Sequence, residues 1–415
     1  MELLRFFTAG NVDDGKSTLI GRLLFDSNSI STDIIETLTR QSKAKAEDAA
    51  IDLALLTDGL RAEREQGITI DVAYKYFVTE KRKYIIADTP GHAQYTRNMF
   101  TGASNTDLAI LLIDARNGVT EQTKRHTIIA SILAIPHLVV CINKMDLVEY
   151  SEDVFRKIEL DYLEFYQKLG ANEIHFIPVS AFTGENVVNR SEKMSWYSGP
   201  TLFDFLENVS LQPTSENAAA RFQVQYVIRP QISELHDYRG YAGSVLSGNF
   251  SVGDEVVVLP EHVTTTLEKI EKFGHEVAVA SKDEPVILHI KDDIDISRGT
   301  TFVLKNQLPE VSKELTATIC WMDNKPFRKG QKLLLQQNSF RTKAALKSIE
   351  AKIDVHTFEN NFDDLELQLN DFAKVEIKTA EEVSFDAYIT NRKTGAFILI
   401  DENSNNTVAA GIFTT

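Results

Sequence analysis

A chain of 415 residues, 43% hydrophobic and 25% charged, is too long for one core and reads as two to three domains. Its formal net charge of −16 works against broad binding along a nucleic-acid backbone, although a local basic patch on an acidic protein can still hold tRNA. No apolar run approaches the ~20 residues of a membrane span.

From the N-terminus, Leu3–Thr8 reads as a strand and Ser17–Leu24 as the opening of a helix. Between them, Gly10-Asn11-Val12-Asp13-Asp14-Gly15-Lys16-Ser17 fits the phosphate-cradling pattern of Gly, four residues, then Gly-Lys-Ser. Gly10 and Gly15 let backbone N–H groups approach phosphate oxygens. Lys16 supplies a point charge for the β- and γ-phosphates, the Ser17 hydroxyl can ligate Mg²⁺, and Thr18 continues the anion-facing helix start. The polar stretch 37–52 reads as a solvated helix leading into Arg64–Ile70, where the Thr69 hydroxyl could ligate Mg²⁺ only while a γ-phosphate is present. Tyr84–Asp88 is a strand ending in a carboxylate, and Thr89-Pro90-Gly91-His92 follows. Asp88 is placed to hold Mg²⁺ through water, and Gly91 to offer its N–H to the γ-phosphate. His92 is the group this motif supplies for orienting an attacking water, against the plain alternative of a structural histidine.

Leu108–Asp114 is a further strand, and a helix follows from about residue 122 to 134. The apolar run Leu138–Ile142 suits a buried parallel strand, and it ends in Asn143-Lys144-Met145-Asp146. A carboxylate at Asp146 can accept from guanine N1–H and the exocyclic amine, a donor pair that adenine lacks. Asn143 and the stem of Lys144 would shape the rest of that pocket. Ile174–Val179 is a strand ending in Ser180-Ala181, where a small residue would let a backbone N–H reach guanine O6. Residues 211–218 read as a linker, after which the helical period disappears. Phe222–Ile228 and Glu255–Leu259 are strand-like, with Ser251–Asp254 as a turn between hairpin arms, and a similar element recurs at Phe327–Leu335. The two cysteines, Cys141 and Cys320, sit in apolar strand-like runs, which with the absence of a signal-peptide pattern at Met1–Phe7 points to a reducing cytoplasm.

In this order the motifs resemble the translation-factor class of GTPases. The similarity is closest to the CysN family, the GTP-hydrolysing large subunits of bacterial sulfate adenylyltransferase. It is carried by Leu56–Tyr74, Asp88–Met99, Glu192–Leu202 and Asp237–Gly243. Asp14 stands where tRNA-carrying elongation factors usually have His or Ser, and Gln66 where they usually have Arg; Ala93 departs from the Glu expected in the sulfate-activating family. The resemblance implies an α/β P-loop GTPase domain at 1–209 and two small β-barrel domains at 221–308 and 309–415, as in elongation factor Tu. It implies GTP and Mg²⁺ as ligands, and a small, CysD-type ATP-binding partner in which GTP hydrolysis drives ATP and sulfate to adenylylsulfate and pyrophosphate. The chain shows neither a second phosphate loop nor a Ser-Gly-Gly-x-Asp-Ser loop, so adenylyl transfer would occur in the partner. The alternative is a translation factor that delivers aminoacyl-tRNA or acts in termination.

Overall fold

The computed structural model describes residues 1–27, 53, 71–92, 95–167, 173–211, 218–230, 238–354, 357 and 359–414. The expected helix at 37–52, the Thr69 segment, Ala93 and most of the linker lie outside the described residues. Two compact units emerge, one of residues 1–211 with 354–359, the other of 212–353 with 360–415.

In the first unit, β1 (Glu2–Ala9), β2 (Ala73–Val78), β3 (Arg82–Asp88), β4 (Leu108–Asp114), β5 (His137–Asn143) and β6 (Ile174–Pro178) form one sheet in the order β2-β3-β1-β4-β5-β6. Edge strand β2 runs antiparallel to β3, and the other five are parallel. Every residue of β4 is buried, as a parallel strand covered on both faces requires. The connecting helices are α1 (Lys16–Asp26), α2 (Thr96–Ala103), α3 (Glu121–Ile132), α4 (Glu152–Tyr166) and α5 (Leu202–Asn208). Leu19 and Leu23 of α1 and Leu202 and Leu206 of α5 join Leu4, Phe6, Ile110 and Val139 of the sheet in one core.

Strand order reverses around β1, because its neighbours β3 and β4 both follow it in the chain. A crevice therefore opens at the carboxyl ends of these strands. The helix starts differ in a telling way. Thr120, Ser151 and Thr201 cap α3, α4 and α5 with their side chains, whereas α1 begins after Gly15 in left-handed conformation (φ 93°) with no side-chain cap. The first-turn N–H groups of α1 are thus left for an anion.

The second unit is all β. Its first barrel uses β7 (Arg221–Ile228), β8 (Gly240–Ser247), β9 (Asn249–Ser251), β10 (Glu255–Leu259), β11 (Val263–Lys272), β12 (His275–Val277), β13 (Val279–Ser281), β14 (Pro285–Ile290) and β15 (Thr301–Leu304). Pairing of β10 with β11 closes the order β10-β15-β7-β8-β14-β11. A second barrel uses β16 (Glu310–Trp321), β17 (Leu333–Gln337), β18 (Phe340–Ile353), β19 (Asn360–Asn361), β20 (Phe372–Phe385), β21 (Ala396–Asp401) and β22 (Thr407–Phe413), closed by β17 against β18. Closure removes the open edges that would otherwise template aggregation.

One expectation needs correcting. The Ser251–Asp254 turn forms, with Asp254 N donating to Ser251 O, but its flanking strands are not hairpin arms. β9 pairs with β13, while β15 intervenes between β7 and β10. The recurrence is real at the level of the turn. Gly253 and Gly330 have φ of 93° and 86°, and Gln331 N donates to Arg328 O as Asp254 N does to Ser251 O. In the repeat only Leu333 onward is strand, because the turn consumes the residues before it.

Arg221 joins the two barrels. Its guanidinium, almost fully buried, donates to both oxygens of Asp386 (3.0 and 2.8 Å) and to the carbonyls of Ala220 and Gln307. Removing one partner of such a pair strands the other charge. Arg221→Ala should therefore destabilise this unit by about 3 kcal/mol. Denaturant unfolding followed by Trp321 emission, in a Trp196→Phe background, checks this; a midpoint unchanged from the parent would refute it.

Candidate nucleotide site

Five strand ends converge on the crevice. The turn after β1 carries the phosphate loop. Lys16 Nζ folds back onto it and donates to Gly10 O (2.9 Å) and Asn11 O (2.8 Å). Burial pushes this ammonium's pKa down, opposed by the negative charges of Asp88, Asp14 and Asp13. Asp14, 4% exposed, accepts from Asn11 N at 2.6 Å, and its pKa is raised by burial. Ser17 and Thr18 are half-buried at the start of α1, and Val12 and Asn11 are half-buried on the loop itself.

At the end of β3, Asp88 is buried and accepts from Thr8 Oγ1 (3.3 Å), its register partner on β1. Thr89 Oγ1 donates to Thr8 O at 2.6 Å, and Pro90 is buried beside it. Gly91 allows no side chain, since a Cβ there would come 2.5 Å from both Gly10 O and Lys16 Nζ. That close approach sets Gly91 against the phosphate loop. His92 follows it and is exposed, with its ring edge-on to Tyr95.

The β5 and β6 ends build the second half. Asn143, 2% exposed, donates from Nδ2 to Asp14 O (2.8 Å) and accepts at Oδ1 from Ala181 N (2.9 Å). The Ala181 N–H is engaged by Asn143, a bond that ties the loops after β5 and β6 together. Ser180 Oγ donates to Asp146 Oδ1 at 2.6 Å, which holds that carboxylate in place. Met145 is fully buried and anchors the turn, its N–H donating to Val179 O.

Three supporting residues were not singled out from the sequence. Asp114, at the end of β4, accepts from Lys144 Nζ (2.9 Å) and from Arg116 (2.6 Å). Burial opposes its ionisation, yet these hydrogen bonds hold its carboxyl well below the usual carboxylate range. Lys144, in left-handed conformation (φ 62°), is thereby pinned by its ammonium to the end of β4. Arg22 of α1 donates Nε to Ala181 O (3.2 Å) and Nη2 to Phe182 O (2.7 Å), bracing the loop after β6. Thr8 is the third, through its bond to Asp88. A strand ending in Asp was a visible signal for Asp114; nothing local marks Arg22 or Thr8.

Similarity to known proteins agrees with this geometry. Residues 1–225 match the family model described as the elongation factor Tu GTP binding domain, and residues 314–414 match one described as GTP-eEF1A C-terminal domain-like. A protein of Cellvibrio japonicus named sulfate adenylyltransferase subunit 1 is 51% identical over 99% of this chain and 86% of its own. Proteins of the same name from Shewanella oneidensis and Bacteroides thetaiotaomicron are 49% and 47% identical, over 98% and 99% of this chain and 84% and 86% of theirs. The chain belongs to the sulfate adenylyltransferase subunit 1 family. Its first domain is a translation-factor-type GTPase domain, and the two barrels complete that architecture. A crystal structure of Sup35 with GMPPNP is 22% identical and covers 100% of this chain and 94% of that one, at a TM-score of 0.45, too distant to bear on the fold.

Two outcomes follow from the site. Asp146→Asn turns an acceptor into a donor where the guanine amine would sit, so competition binding should show preference moving from GTP towards xanthosine triphosphate by at least ~10-fold. An unchanged order of preference would contradict the assignment of Asp146 to the base.

The second concerns His126 on α3, fully buried, whose Nε2 faces Gln122 and whose Nδ1 has no hydrogen-bond partner among the described residues. Burial, then the positive charges of Lys16 and Arg125, push its pKa down from 6.5 to about 3. The unfolded chain thus takes up a proton near pH 6.5 that the folded chain refuses until about 3, so stability falls as pH falls through that window. His126→Gln should flatten the decline in denaturation midpoint between pH 7 and 4; an unaltered slope would rule His126 out as its source.

Proposed function

We propose that this chain is the GTP-hydrolysing, energy-coupling subunit of sulfate adenylyltransferase, acting on GTP while a small ATP-binding subunit joins sulfate to AMP. The observation that carries this is similarity to subunit 1 proteins, 51% identity over 99% of the chain, in a molecule whose β5 and β6 ends bring Asn143, Asp146, Ser180 and Ala181 together. The proposed domain bounds are 1–209, 221–308 and 309–415. No helix among the described residues is long and apolar enough to cross a membrane, and the proposed location is the cytoplasm.

In the proposed reaction, Lys16 exchanges its bonds to the Gly10 and Asn11 carbonyls for the β- and γ-phosphate oxygens. The N–H groups at the uncapped start of α1 surround the same phosphates. Gly91 offers its N–H to the γ-phosphate from the adjoining turn. The Ser17 hydroxyl and the buried Asp88 carboxylate are hard oxygen donors of the kind that suits Mg²⁺, with Thr69 as a third from outside the described residues. When bound, that ion would neutralise charge on the β- and γ-phosphates. His92, exposed beside Gly91, orients the attacking water, and Asp146 selects guanine over adenine. Because the reaction displaces a phosphoryl group onto water, positioning and electrostatic stabilisation supply most of the rate.

Adenylylsulfate formation is uphill, since its phosphate–sulfate anhydride is of higher energy than the ATP bond broken. GTP hydrolysis can draw it forward only if both steps share one conformational cycle. The chain alone should hydrolyse GTP slowly and make no adenylylsulfate. With the small subunit, ATP and sulfate present, hydrolysis should accelerate, and adenylylsulfate should exceed what ATP alone supports. His92→Ala should lower GTP turnover by roughly 10²-fold or more with affinity within a few-fold, and should remove the excess product. Turnover that responds to aminoacyl-tRNA or ribosomes and ignores sulfate would establish the translation-factor reading instead.

A further inference from the structure

The phosphate loop contains a charge of the wrong sign for its ligand. Asp14 is 4% exposed, yet among the described residues no cationic nitrogen lies within ion-pair distance of its carboxylate. The cations that act on it are engaged elsewhere: Lys16 donates to the carbonyls of Gly10 and Asn11, and Lys144 pairs with Asp114. What Asp14 does hold is the loop itself, through Asn11 N at 2.6 Å. A side chain on Gly10 would lie 3.2 Å from the same carboxylate oxygen, so the group is packed directly against the loop's first glycine.

Lys16 grips the same segment, donating to the carbonyls of Gly10 and Asn11. Carboxylate and ammonium therefore both hold the Gly10-Asn11 segment, and Asp14 is among the charges that act on Lys16. In so buried a place, charges interact far more strongly than in water. A nucleoside diphosphate entering the loop meets an attractive Lys16 whose field is partly cancelled, and a carboxylate that repels it.

We propose that Asp14 is an affinity-setting residue that weakens guanine-nucleotide binding and shortens the residence of GDP, so that product leaves without help from an exchange protein. The proposal rests on the reading of this crevice as a guanine-nucleotide site. Its hydrogen bond to Asn11 N is a separate role, one that a neutral acceptor of the same shape can keep.

Asp14→Asn separates the two roles, because the amide oxygen can still accept from Asn11 N while the charge is gone. Asp14→Ser provides a second neutral acceptor should the amide perturb folding. In the full chain, fluorescent GDP should bind both variants about tenfold tighter, ~1.4 kcal/mol. Most of the gain should appear as slower dissociation, with smaller change in the association rate. Affinity and dissociation rate within twofold of the unmodified chain, or weaker binding in both folded variants, would overturn the proposal. An unmodified chain that shows no saturable GDP binding would instead defeat the underlying site reading.

Discussion

The nucleotide site depends on one carboxamide. Asn143, at the end of β5, binds the phosphate loop with its nitrogen through Asp14 O and the loop after β6 with its oxygen through Ala181 N. Both groups are buried, and an unmade bond at either would cost the full desolvation of a polar group. Position is therefore strongly determined. The left-handed Gly15 is set so close that a Cβ on it would lie 2.5 Å from Asn143 Nδ2, so glycine here is required twice over, for its φ and for its size. The loop after β1 and the loop after β6 become one connected object through this side chain.

Around it, the sheet delivers chemistry by register. Thr8 and Asp88 are aligned on β1 and β3, and Asp114 and Asn143 on β4 and β5. Each strand end then contributes one polar group at the same level of the crevice: a phosphate loop, a buried carboxylate, a pin for Lys144, a bridging amide and a serine that holds Asp146. The helices complement this. Thr120, Ser151 and Thr201 cap α3, α4 and α5 with their side chains, while α1 follows the phosphate loop with no side-chain cap and so leaves its N-terminal dipole and N–H groups open. Lys16 is the counterpart, held over its own loop by the carbonyls of Gly10 and Asn11.

Much of this was legible in the chain because the GTPase motifs are contiguous and each sits at the end of an apolar run. The strand at Leu108–Asp114 matches the structure residue for residue, and β1, β3 and β5 extend the expected strands by only one or two residues at an end. What was not legible depends on pairs far apart in sequence. Arg22 reaches the carbonyls of Ala181 and Phe182 across some 160 positions, a contact that no local pattern encodes. The bond from Ala181 N–H to Asn143 likewise exists only once β5 and β6 are adjacent. The same limit explains the barrel error. A Gly-Asp turn predicts a reversal of the chain, but not that β15, from nearly fifty residues downstream, will insert beside β10.

The central claim is that these strand ends form a pocket for guanine nucleotides. Calorimetric titration of the unmodified chain with GDP and with ADP, in the presence of Mg²⁺, tests it most directly. The account predicts that GDP binds at least ~10²-fold tighter than ADP, about 3 kcal/mol of discrimination. Equal affinity for the two, or saturable binding of ADP alone, would contradict it.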